Sequence, residues 1–100
     1  MIDLTKIYPS TLTPQEKLLR YLDDVGQTGL LIVRPFSAIE AELELCHNTF
    51  KRYLKNFQDA EILKFNLQRN AIMLNPKVFQ YSFTTDERYF WNNQYYNFAA

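Results

Sequence analysis

Cysteine and histidine each occur once in this chain of 100 residues, tryptophan once and glycine twice. One cysteine, Cys46, excludes an internal disulfide. Cys46 and His47 stand side by side with no further cysteine or histidine, so a structural zinc site is not expected, nor any other metal or cofactor. Two glycines exclude a glycine-rich phosphate cradle; Gly26-Gln27-Thr28-Gly29 is too short for one. No apolar run approaches the length of a membrane span. Met1-Ile2-Asp3-Leu4-Thr5-Lys6 shows no basic-then-apolar leader. Repeats and low-complexity tracts are missing as well. These absences fit a reduced, cytoplasmic setting.

Net charge is also lacking: 11 basic residues balance 11 acidic ones. The balance is uneven along the chain. Residues 47–80 hold Lys51, Arg52, Lys55, Lys64, Arg69 and Lys77 against Asp59 and Glu61, whereas residues 1–46 are net acidic. What the chain has in plenty is apolar surface, 47% of residues with 16% aromatic, enough to build one core in one domain.

Helix signals divide the chain. Thr13-Pro14-Gln15-Glu16 reads as a capping box with proline at the first helical position, and Gly26 as the stop. Leu30-Leu31-Ile32-Val33 reads as a short buried strand, ended by Arg34-Pro35. Ser37-Ala38-Ile39-Glu40 repeats the capping-box pattern and starts a short second helix at Ser37. A third helix follows a turn at Glu44–Cys46, capped by Cys46 or by Asn48, asparagine being chemically the better cap. Ile62 to Leu67 and Ala71 to Leu74 read as a hairpin turning at Gln68-Arg69-Asn70 and closed by Asn75-Pro76. Thr84-Thr85-Asp86-Glu87 opens a last helix carrying Tyr89, Phe90, Trp91, Tyr95, Tyr96 and Phe98. Those aromatics cover more than one face, so burial on several sides is expected. A second subunit would supply that cover, giving a homodimer through this helix, aided by an arm of residues 1–12.

The third helix has two contrasting sides. At about 100° per residue, Phe50, Tyr53, Leu54 and Phe57 fall on one side. Asn48, Lys51, Arg52, Lys55 and Asn56 fall on the other. One side can dock on a core while the other offers cations to phosphates and amides to base edges.

The run Glu42 to Leu63 resembles the helix-turn-helix segment of bacterial winged-helix DNA-binding proteins of the MarR-like kind. It follows their pattern without gaps: short helix, turn, helix ending in an apolar-Lys-x-apolar run, and an acidic-Ala-Gly-apolar exit. Glu44 stands where a turn glycine is common, and Glu61 where the exit glycine is common. Met73-Leu74-Asn75-Pro76-Lys77-Val78-Phe79 is similar to the end of the wing in Firmicute plasmid replication proteins of the RepL type. The resemblance implies an α+β winged helix-turn-helix domain at 13–80, of order helix, strand, helix, helix, β-hairpin, with an extra C-terminal helix within 81–100. It implies binding of double-stranded DNA in replication initiation or transcription regulation.

On that reading Asn48, Thr49 and Arg52 contact base edges, and Lys51, Lys55, Lys64 and Arg69 contact phosphate. Arg69, at the hairpin tip, is either a groove contact or a solvated turn residue. His47 is either a phosphate or base contact or a plain surface histidine. No catalytic constellation is read: Asp23 and Asp24 do not share a helix face, Glu40 and Glu44 have no evident basic partner, and no serine or cysteine nucleophile has a base. The rival reading is a winged-helix interaction or oligomerisation module that binds no DNA, favoured by the zero net charge and the aromatic tail.

Overall fold

A computed structural model describes residues 12–99. Except for Leu12, the arm expected at 1–12 lies outside the described residues. Four helices and one three-stranded antiparallel sheet make an α+β fold among them. None of these helices is long and apolar enough to cross a membrane.

Helix α1 spans Pro14–Gly26. Extended Thr13 caps it, its Oγ1 accepting the Glu16 N–H at 3.2 Å. Leu18 and Leu22 lie on its buried side. Gly26 does not stop the helix by turning left-handed, because neither glycine has a positive φ. It is buried, and a Cβ there would run into Leu74 Cδ1 and stand 3.0 Å from Tyr81 Oη. Close packing, not chain reversal, demands glycine at this position.

Strand β1, Leu31–Val33, is buried only at Ile32. The expectation of a strand buried throughout is corrected: Leu31 and Val33 point to the other face of the sheet and are 43% and 64% exposed. Helix α2, Phe36–Leu43, starts one residue before Ser37, and Pro35 holds the cap position without a side-chain bond. The capping box read at Ser37 does not form. Phe36 is buried in the core, and its N–H is taken by Asn70 Oδ1 from the hairpin at 3.1 Å.

Helix α3 spans His47–Asp59 and is capped in position by Cys46; Asn48 falls inside it. The turns on either side of α3 share one device. Glu44 (φ 56°) and Glu61 (φ 59°) are both left-handed. They let Leu45 N–H reach Glu40 O at 2.8 Å and Ile62 N–H reach Phe57 O at 2.9 Å, which satisfies carbonyls at each helix end. These are the two places where the resemblance expects glycine.

Strands β2 (Leu63–Asn66) and β3 (Ala71–Leu74) form the expected hairpin, with Leu63 opposite Leu74 and Asn66 opposite Ala71. Asn70, at φ 50°, supplies the left-handed residue that the absent glycine would have given. The strand order is β1-β3-β2, and all four residues of central β3 are buried. Ile32, Ile72 and Phe65 stand in register on the face that carries the core with Phe36, Ile39, Phe50, Leu54 and Phe57.

Helix α4, Thr85–Asn97, opens with the full capping box: Glu87 N–H donates to Thr84 Oγ1 and Thr84 N–H to Glu87 Oε1, both at 3.1 Å. It covers the second face of the sheet. Lys64 Nζ donates to Tyr95 O and Asn66 Nδ2 to Ala99 O, while Trp91, Tyr95 and Phe98 pack against the core. The expected burial on several sides is not what α4 has within this chain. No residue of the helix is fully buried, and Tyr89, Phe90 and Tyr96 are 75%, 52% and 82% exposed.

Candidate nucleic-acid interface

Helix α3 is held by its apolar side. Phe50 packs edge-on against Phe36 of α2, ring centroids 5.4 Å apart, and Leu54 and Phe57 are buried beside it. The opposite side is open. Asn48, Arg52, Lys55, Asn56 and Asp59 are exposed, and Asn48, Arg52, Lys55 and Asp59 recur at helical spacing along one stripe. Arg52 lies over the ring of Tyr53 at 5.6 Å, which leaves its guanidinium on the surface. Helical spacing also places Asp59 on this stripe. Asp59 puts a negative charge at the C-terminal end of the stripe, so the cationic and amide-bearing part is its N-terminal two-thirds.

The first turn of α3 is engaged with the protein. His47 Nδ1 meets Glu40 of α2, 3.1 Å from Oε2 and 3.2 Å from Oε1. Thr49 Oγ1 is 2.9 Å from Cys46 Sγ. That contact, with the neighbouring backbone amides, lowers the Cys46 thiol from its ordinary value. Glu40 therefore has a basic partner, one the spacing within a single helix did not reveal. The side chain of Asn48, between His47 and Thr49, has no hydrogen-bond partner among the described residues.

The phosphate candidates separate. Lys55 is exposed on the stripe and Lys51 half-buried at its flank. Lys64 belongs elsewhere: its Nζ is 2.9 Å from Tyr95 O and 4.6 Å above the Tyr95 ring, on the sheet face that α4 covers. Burial, then the charge of Glu61, pushes the Tyr95 phenol above its usual range. Arg69 is exposed in the hairpin turn, where its N–H donates to Asn66 Oδ1 at 3.1 Å. Arg34 enters the same neighbourhood unannounced, since its N–H donates to Asn70 O at 3.1 Å. Gln15 of α1 also reaches the stripe, accepting from Asn56 Nδ2 at 3.4 Å. A bond from the end of β1 to the hairpin turn creates the first neighbourhood and a bond between α1 and α3 the second, and no local pattern announces either.

Among the described residues no group of three or more histidine, cysteine or acidic side chains is placed to hold a metal ion. Comparison with known proteins finds no match: no family model, no curated protein and no solved structure aligns with the chain.

Proposed function

We propose that the chain is a duplex DNA-binding protein of the winged helix-turn-helix kind. In this reading α2 and α3 are the helix-turn-helix, α3 enters the major groove, and the β2–β3 hairpin is a short wing. The observation that carries it is the division of α3: Phe50, Leu54 and Phe57 are buried, while Asn48, Arg52 and Lys55 form an open stripe on the other side. Amides and guanidinium groups make bidentate bonds to base edges, and lysine supplies charge to phosphate. Asn48 and Arg52 are assigned to bases, Lys55 and Lys51 to phosphate, and Arg69 to the backbone beside the wing. Thr49 and His47 act through the protein, fixing the start of α3. Lys64 is withdrawn from the set because its ammonium is held on α4. The resemblance in sequence supports a role in replication initiation or transcription regulation.

A second reading, a protein-interaction module, is favoured by the exposed Tyr89, Phe90 and Tyr96. Titration of the protein against arbitrary duplex DNA at two salt concentrations separates the two. DNA binding predicts affinity that falls steeply with salt. An interaction module gives no salt-sensitive association.

A further inference from the structure

The sheet has two edges, and the chain treats them differently. At the β2 edge the Phe65 N–H is taken by Gln58 Oε1 at 3.2 Å. Among the described residues the β1 edge has no such plug. Leu74 N–H donates to Leu30 O at 2.9 Å and Arg34 N–H to Asn70 O at 3.1 Å, with Ile32 opposite Ile72 between them. In an antiparallel ladder alternate residues turn both backbone groups to the same neighbour. Residues 30, 32 and 34 therefore face β3, and Leu31 and Val33 present N–H and C=O outward. No hydrogen bond to those groups occurs among the described residues.

Free edges in natural proteins are shielded by charge, proline or a bulge. Leu31-Ile32-Val33 contains none of these. Arg34, next in sequence, is drawn back onto α1, where its Nη1 donates to Tyr21 Oη at 2.8 Å and its guanidinium lies 6.0 Å from the ring; the cation that lines the groove beside the strand is Arg69 of the hairpin turn. The half-exposed side chains of Leu31 and Val33 form the rim of a groove of about 560 Å³ between β1 and α4, with Ala71, Met73, Gln94 and Phe98 in its walls.

We propose that β1 pairs with β1 of a second copy of this chain, antiparallel about a two-fold axis at Ile32, so that the two sheets become one. The register is self-complementary. With Ile32 opposite its own copy, Leu31 meets Val33 of the partner subunit, and the two exchange a pair of N–H···O=C bonds. Val33 meets Leu31 of the partner subunit in the same way. A two-fold contact of this kind uses one patch twice, and here it satisfies every outward backbone group of the strand while covering both exposed side chains. An arbitrary peptide would match the backbone but not this apolar pair.

A strand of three residues covers far less than the roughly 800 Å² per partner of a stable interface. The remainder comes from α4. Phe90, Gln94 and Asn97 share a helix side; Gln94 and Asn97 line the groove, and the exposed Phe90 extends that side one turn toward the start of α4. Pairing merges the two grooves into one trough walled by both α4 helices. The pairing does not rest on DNA binding. It does bear on it, because α3 packs against β2, the strand farthest from the axis. With strands about 4.8 Å apart, the two β2 strands stand about 24 Å apart, approaching the ~34 Å separation of half-sites one turn apart.

The test is sedimentation equilibrium of the intact protein without DNA, from about 1 to 100 µM, a range typical of weak dimers. The expected result is a monomer–dimer equilibrium whose dissociation constant rises at least about tenfold in Val33→Lys, a charge on the edge, and stays unchanged in Tyr96→Ser. A second variant keeps the question open if Val33→Lys loses its circular dichroism. In a Cys46→Ser background, an equimolar mixture of Leu31→Cys and Val33→Cys should be joined into a covalent dimer by a short bis-maleimide, since hydrogen-bonded opposed residues hold their Cβ atoms about 5.5 Å apart, beyond direct disulfide reach. A monomer throughout, a dimer indifferent to Val33→Lys in its folded form, loss of the dimer in Tyr96→Ser, or failure of the cysteine pair to cross-link overturns the proposal.

Discussion

Asn70 Oδ1 accepts the N–H of Phe36 at 3.1 Å, so the tip of the hairpin caps the start of α2. Asn70 does this from a left-handed backbone, φ 50°, which asparagine tolerates better than other residues with a side chain. Asn70→Gly should lose the bond alone, about 0.5–1.5 kcal/mol. Asn70→Ala should lose the bond and add about 1–2 kcal/mol of backbone strain. Urea unfolding followed by circular dichroism should rank wild type above Asn70→Gly and Asn70→Gly above Asn70→Ala. Equal stability of the two variants would show that the backbone conformation carries no cost.

Gly26→Ala is the substitution a helix scale would recommend, worth up to about 1 kcal/mol at an exposed position. Here the added methyl meets Leu74 Cδ1 and the Tyr81 hydroxyl. Overpacking of this kind costs about 1–3 kcal/mol. The variant should therefore unfold at lower urea than wild type. A gain in stability would mean that α1 shifts freely away from Leu74.

Tyr81 fastens the segment after the sheet to the end of α1. Its hydroxyl proton is shared between Asp23 O at 2.8 Å and Asp23 Oδ1 at 2.7 Å. Burial first, and then the Asp23 carboxylate, push the phenol well above its ordinary 10.0. A group whose folded value is raised stabilises the fold fully below its unfolded value and loses that contribution as pH rises through the folded one. Stability should thus fall from about pH 10 upward, the unfolded tyrosine value. Tyr81→Phe should be weaker at neutral pH by about 0.5–1.5 kcal/mol, with a shallower alkaline decline. Thermal melts between pH 8 and 11 check both parts. An identical alkaline slope in the variant would assign the titration to other groups.

Local signals in the sequence were reliable where they closed within one turn. Thr84 forms the full capping box that its spacing predicts and Thr13 only the cap half of one, without the return bond from Glu16, and the α3 stripe follows from periodicity. Signals that depend on distant partners were not legible. Ser37 failed as a cap because Phe36 enters the core and Asn70 brings its oxygen across 34 residues. Lys64 counted toward a basic segment, yet strand alternation turns it onto α4. Glu44 and Glu61 lie between these cases. Their positions marked the turns, but only the backbone shows that glutamate takes the left-handed conformation there. Glu44→Gly should therefore stabilise the fold by about 0.5–1 kcal/mol, the strain relieved exceeding the entropy that glycine adds to the unfolded chain. Destabilisation on urea unfolding would mean that the Glu44 side chain contributes more than its backbone costs.

The central claim, that the open side of α3 binds duplex DNA, is tested most directly by the salt dependence of binding in two single variants. The affinity of wild type, Lys55→Ala and Lys64→Ala for one duplex is measured across a series of salt concentrations. Lys55→Ala should flatten the slope of log K against log salt by about 0.9, one phosphate contact, while Lys64→Ala should leave it unchanged. A slope flattened by Lys64→Ala but not by Lys55→Ala, or no salt-dependent binding by the wild-type protein, would contradict the assignment of α3 as the DNA-binding helix.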